Sequence, residues 1–162
     1  MSYNITIGNA KPYHSKEDGY LYAKWVVENA ATDDAPIFPH DEITGNGNCR
    51  SPGYSVWHDF TREAGIEPMW YDKEEGLLRE HPGCFILEKH HHTTVIAALE
   101  RWRLRATLPP GFSGFPEYDK DKQVWKSPDE GKYDAILARL IWMEWWMAWA
   151  LKNCETPAVE NS

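Results

Sequence analysis

Twelve residues near the C-terminus, Leu140-Ile-Trp-Met-Glu-Trp-Trp-Met-Ala-Trp-Ala-Leu151, restrict the fold more than any other stretch of the chain. They hold four of the nine tryptophans and a single ionisable side chain, Glu144. Apolar side chains point in every direction around a 3.6-residue turn, the mark of a helix enclosed by other protein. A membrane span needs about 18 to 20 uninterrupted apolar residues, and Asp134, Arg139 and Lys152 crowd this run. The pattern predicts a core helix over 133–152 with the other elements built around it.

Those other elements read as a mixture of strands and helices. Residues 3–9 alternate Tyr3, Ile5, Ile7 against Asn4, Thr6, Gly8, and residues 20–28 alternate again with Leu21, Ala23, Trp25 and Val27 on one side. Two such strands predict an antiparallel pair, which must lie on further structure to be stable. Ser51-Pro52 reads as a helix start, Ser as cap and Pro as first residue, with Val56, Trp57, Phe60 and Ala64 on one face and Gly65 as the stop. Residues 66–71 read as a short apolar connection. Asp72-Lys-Glu-Glu75 resembles a capping box for a short helix carrying Leu77 and Leu78, and residues 84–87 read as a brief strand or a buried link. A longer helix is expected over 88–105, with Val95, Ile96, Leu99 and Trp102 at helical spacing, and Ser127-Pro-Asp-Glu130 as the cap of the core helix. The fold class is therefore α+β: a small antiparallel sheet on three to four helices around a tryptophan-rich centre. The 162 residues form one domain over 1–155, with a long ordered loop over 28–51, an exposed loop over 107–130 and a polar tail over 156–162.

Composition excludes several classes. The net charge of -8 argues against a duplex nucleic acid as partner, which calls for a basic patch. No apolar leader or membrane segment is visible, and the three cysteines, Cys49, Cys84 and Cys154, form no C-x-x-C pair, so the reading is a reduced cytoplasmic protein without a membrane partner. Nine Trp, eight Tyr and five Phe exceed what a chain of this size must hide alone, which predicts a homo-oligomer.

The richest chemistry lies in residues 44–59. A helix start presents backbone N–H groups without intrahelical partners and a partial positive charge, and so attracts an anion. Arg50 directly precedes the expected cap and can grip an anion bidentately. Thr44, Asn46, Asn48, Ser51, Tyr54 and Ser55 add neutral hydrogen-bonding groups, and Trp57 offers a stacking surface, as do Trp70 and Trp125. The pattern is neither a P-loop nor a dinucleotide fingerprint. The competing structural reading is that Asn and Gly make turns, Ser51 caps and Arg50 pairs with a surface acid.

Other constellations are weaker. No metal is expected, because His40, Asp41, Cys49, His58, Asp59, His81, Cys84 and the adjacent His90, His91 and His92 lack the short paired spacings of zinc sites; the three adjacent histidines read as a solvated helix start. Cys49 could be a thiolate activated by the helix start and by His58 or His81. Ser55, His58 and Asp59 are triad residue types in positions that cannot form the relay. Glu144, ringed by tryptophans, needs a partner, and Arg50, Arg62, His58 or a tyrosine hydroxyl would tie the core helix to the 44–59 loop; acid–base catalysis is its other reading. The runs Gly45-Asn-Gly-Asn-Cys-Arg-Ser-Pro52 and His81-Pro-Gly-Cys84 are too specific to be filler.

Three functions follow as expectations. The first is a binder of an anionic or nucleotide-like small molecule, such as a viral sponge for a nucleotide signal, with no further cofactor. The second is a small hydrolase using the same pocket through His58, Asp59, Cys49 or Glu144. The third is an interaction or inhibitor module.

Overall fold

The computed structural model describes residues 1–13, 24–35, 42–45, 47–105, 118–119, 121, 124–125 and 134–162. Strand β1 (Ile5–Tyr13) is the spine of an antiparallel sheet. Its first half pairs with β3 (Cys49–Arg50) on one edge and with β7 (Pro157–Asn161) on the other, and its second half pairs with β2 (Lys24–Val27). β4 (Gly83–Ile86) completes the order β2-β1-β7-β4. The expected N-terminal strand pair is present, with Ala10 opposite Val27 and Pro12 opposite Trp25. A separate pair, β5 (Tyr118–Asp119) and β6 (Val124–Trp125), falls inside the segment expected to be loop.

The polar tail expected over 156–162 is instead the strand between β1 and β4. Two facts make a polar strand viable there. Val159 enters the helix-side core while Ala158 joins Ala10 and Val27 on the opposite face. The polar members are bonded: Glu160 accepts from the Val27 N–H at 2.7 Å, and Asn161 is fully buried in contacts described below. A buried polar side chain is tolerated once its hydrogen bonds are made.

Helices α1 (Tyr54–Glu63), α2 (Glu67–Tyr71), α3 (Lys89–Arg105) and α4 (Ala135–Asn153) supply the second layer. α4 is the expected core helix: Leu137, Ala138, Leu140, Trp142, Met143, Trp146, Met147 and Ala150 are buried, and no residue from 134 to 151 is exposed. It packs on α3 and on β1. Among the described residues no helix is long and apolar enough to cross a membrane.

Helix boundaries differ from expectation in three places. α1 begins at Tyr54 with Gly53 as its cap, because the Ser51 hydroxyl donates to Asn4 Oδ1 at 2.6 Å instead of capping; Gly65, at φ +72, does end the helix. The segment read as a connection is α2, and the segment read as a helix is a turn in which Asp72 Oδ1 accepts from the N–H groups of Glu74 and Glu75. A capping-box sequence and an Asx turn begin with the same bond, so the sequence alone does not separate them. α4 is capped by Asp134, whose Oδ1 accepts from Leu137 N while Oδ2 accepts from the Trp102 indole at 2.7 Å. The cap expected at 127–130 lies outside the described residues.

Candidate functional site

The 44–59 segment, expected to hold a ligand, is bonded largely to its own protein. Asn48 is 1% exposed; its Oδ1 accepts from Ala30 N at 2.7 Å and its amide donates to the carbonyls of Ile7 and Glu28 at 2.9 and 2.8 Å. Both amide donors are thereby used. Gly8 is required beside it, since a Cβ there would lie 2.8 Å from Asn48 Nδ2. The Gly47 carbonyl accepts from the Trp142 indole at 3.2 Å, which fastens the loop to α4. Cys49 and Arg50 form β3, and the Arg50 guanidinium lies so close to Gly45 that a Cβ there would collide with it.

The start of α1 already faces an anion. Glu42 Oε2 accepts from Gly53 N at 2.8 Å, placing a carboxylate of the chain where an external anion was expected. Thr44 is fully buried, Ser55 is exposed, and Asn46 lies outside the described residues. Trp57 and Trp70 are 0% exposed and meet edge-to-face, 4.7 Å between ring centroids, so neither is a stacking platform for a ligand. Of Trp125 only the strand pairing is described.

The alternative catalytic residues also part company. His58 bonds Glu67 at 2.8 Å and packs on Tyr71, while Asp59 pairs with Arg62 on the surface. His81 bonds Tyr54 and Asn161, so both expected activators of Cys49 are engaged elsewhere. Glu144 does acquire a partner, but from α3: His92 Nε2 lies 2.9 Å from its Oε1. The core helix is therefore tied to the neighbouring helix through Glu144 and to the 44–59 loop through Trp142.

Two further arrangements come forward. The first is the histidine run at the start of α3, which is not simply solvated. His90 is exposed, His92 reaches Glu144, and His91 is only 6% exposed. His91 Nδ1 accepts from the Glu88 N–H at 2.9 Å, which assigns the proton of the neutral ring to Nε2. Burial, reinforced by the charge of His90, pushes its pKa down to about 4, so the ring is neutral at pH 7. It lines an open cleft of about 370 Å³ between α2, the Asp72 turn and α3, with Ile66, Pro68 and Met69 on the apolar side and Asp72 and Glu75 on the polar side. An adjoining cavity of about 350 Å³ shares Glu75, His90 and His91. Two backbone N–H bonds hold the Asp72 carboxyl below its usual range, so it is charged there. Among the described residues no three His, Cys, Asp or Glu side chains are grouped to hold a metal ion. A sequence signal for His91 did exist: positions 91, 95, 98 and 102 lie on one helical face, and Val95 and Ala98 are core.

The other arrangement joins the start of α1 to the ends of β4 and β7. Tyr54 Oη lies 2.9 Å from His81 Nε2, and His81 Nδ1 lies 2.7 Å from Asn161 Oδ1. Asn161 donates its amide to the carbonyls of Glu80 and Leu77 at 3.0 and 3.4 Å, so its oxygen faces His81 as an acceptor. Tyr3 packs on both rings, 4.3 Å from Tyr54 and 5.1 Å from His81 between centroids. The His81–Cys84 run thus delivers His81 to this corner through a cis His81–Pro82 bond and then enters β4. The Cys84 thiol is pushed up to about 11 by burial and by Glu160, which keeps it protonated. Asn161 had no sequence signal, because a polar residue at the end of a polar run resembles tail. Comparison with protein-family models, with characterised proteins and with solved structures finds no match to this chain.

Proposed function

We propose that this protein binds a small molecule in the cleft between α2 and the start of α3. The observation that supports this reading is His91: a side chain 6% exposed, lining two cavities, with Nδ1 occupied by the Glu88 N–H and with Nε2–H donating to no protein acceptor among the described residues. A neutral imidazole N–H in a largely apolar wall orients a ligand by one hydrogen bond, as small-molecule sites commonly do. The cleft volume suits a metabolite rather than a peptide.

The lining sets the ligand class. Asp72 and Glu75 on one side favour an amine or guanidinium, and His91 Nε2–H favours a hydrogen-bond acceptor next to it. This departs from the anionic ligand expected at 44–59, which would have to displace Glu42 from the Gly53 N–H. A melting-temperature panel of small amines, amino-acid amides, carboxylates and nucleotides tests the reading, followed by calorimetric titration of whatever responds. The expected responder is cationic, weakened about tenfold or more by Glu75→Gln, in line with the roughly 1.5 to 3 kcal/mol of a charge-assisted bond, and about threefold to tenfold by His91→Asn, which removes a neutral hydrogen bond. A response from anions alone, or an affinity indifferent to His91→Asn, removes the assignment.

A further inference from the structure

We propose that Tyr54 is a nucleophile, with His81 as its general base, and that it takes uncharged esters with phenol-like leaving groups. The site is separate from the His91 cleft in its residues, and neither proposal depends on the other. A hydroxyl bonded to a ring nitrogen that is itself oriented by a third group is the arrangement by which proteins activate weak nucleophiles.

The direction of each hydrogen bond follows from the contacts. Asn161 is fully buried and its amide hydrogens go to the Glu80 and Leu77 carbonyls, so its Oδ1 can only accept. His81 Nδ1 therefore carries the proton in the neutral ring, and Nε2 presents a lone pair. Tyr54 must then donate its hydroxyl proton to Nε2. His81 and Tyr54 both keep access to solvent, so an electrophile can reach the oxygen.

The chemistry selects the substrate. A phenolate attacks productively when the departing oxygen is no more basic than itself. Aryl esters meet that condition and alkyl esters do not. Tyr3 and Asn161, which stack on or bond to the Tyr54–His81 pair, are uncharged, and the chain carries a net charge of -8, so a neutral acyl ester fits better than a phosphodiester. In the step, Tyr54 Oη forms a bond to the acyl carbon, the bond to the aryl oxygen breaks, and the Tyr54 proton passes through His81 Nε2 to the departing phenolate. Water then adds to the acyl-tyrosine, losing its proton to His81. That proton returns to Tyr54 Oη as the carboxylic acid leaves.

The full chain is mixed with p-nitrophenyl acetate, and separately with an aryl sulfonyl fluoride that traps the nucleophile as a stable sulfonate ester. Release of nitrophenol and peptide mass mapping are followed, with melting temperatures recorded for every variant. Modification is expected at Tyr54 well ahead of the more exposed Tyr13, absent in Tyr54→Phe, and slowed about a hundredfold in His81→Ala with recovery on adding imidazole. Labelling of Tyr54 at the rate of Tyr13, or a folded His81→Ala variant that reacts like the parent, overturns the proposal. Faster turnover of bis(p-nitrophenyl) phosphate than of the acetate overturns the substrate class.

Discussion

The segment around Asn48 and the histidine run at 90–92 use their polar side chains in opposite ways. The Asn48 segment has glycines, asparagines and an arginine before a helix, the composition of a ligand loop, yet Asn48 holds three backbone groups and Glu42 fills the helix start. The histidine run has the composition of a solvated helix beginning, yet one of its histidines is buried and lines a cleft with a donor to spare. Polar residues become available to a ligand only where the fold leaves their hydrogen-bonding capacity unused. Composition does not record that, because the same asparagine can bind a guest or brace a strand.

The largest test of this contrast is on the loop side. Trp142→Ala removes a fully buried ring and the indole bond to Gly47, and should cost about 3 to 5 kcal/mol in urea denaturation. Trp142→Phe keeps most of the ring and should lose only about 1 kcal/mol. Trp142→Phe as stable as the parent, although it lacks the indole donor, would mean that the loop is not anchored as described.

Asn48→Ala comes next. It strands the Ala30 N–H and the carbonyls of Ile7 and Glu28 inside the protein, with an expected loss of about 3 kcal/mol. A loss under about 1 kcal/mol would mean that Asn48 braces nothing and is open to a ligand after all.

On the histidine side the probe is acid. The unfolded chain protonates His91 near its ordinary value of 6.5, whereas the folded chain does so only near 4. Between those values the unfolded state binds more protons, so stability falls as the pH falls from 6.5 toward 4, and the effect is absent above that window. The size for this one group is on the order of 2 to 3 kcal/mol. His91→Asn, which can still accept from Glu88 N, should show a visibly smaller fall over the same range. Identical pH profiles for the two proteins would mean that His91 titrates normally.

The smallest effect belongs to Asp59, whose partner Arg62 is exposed with it. Asp59→Ala should change stability by no more than about 0.5 kcal/mol, because solvent screens the pair. It should also leave the Tyr54 reactivity unchanged, which separates Tyr54–His81 from the neighbouring charged residues of α1.

Apolar pattern was legible where it was dense. The core helix, the strand pair at the N-terminus and the α3 span followed from periodicity, and the structure contains all three. Boundaries set by one polar side chain were not. Ser51 turned to Asn4, Asp72 closed a turn rather than starting a helix, and Asp134 took the cap expected further upstream. Each of these residues has several bonding choices of similar energy, and the surrounding fold decides among them. The candidate sites were half legible for the same reason. Tyr54 and His81 each stand out in the sequence, but nothing there joins them, since the link is Asn161 in a strand that reads as tail.

The placement of β7 between β1 and β4 also bears on how the molecule is made. Thr6 leaves the ribosome about 150 residues ahead of its partner Glu160. At ordinary elongation rates the nascent N-terminal strand waits roughly ten to thirty seconds with one edge unmatched. Aggregation during synthesis is therefore most dangerous at that edge, and a chaperone that shields the first strand would raise the yield of native protein.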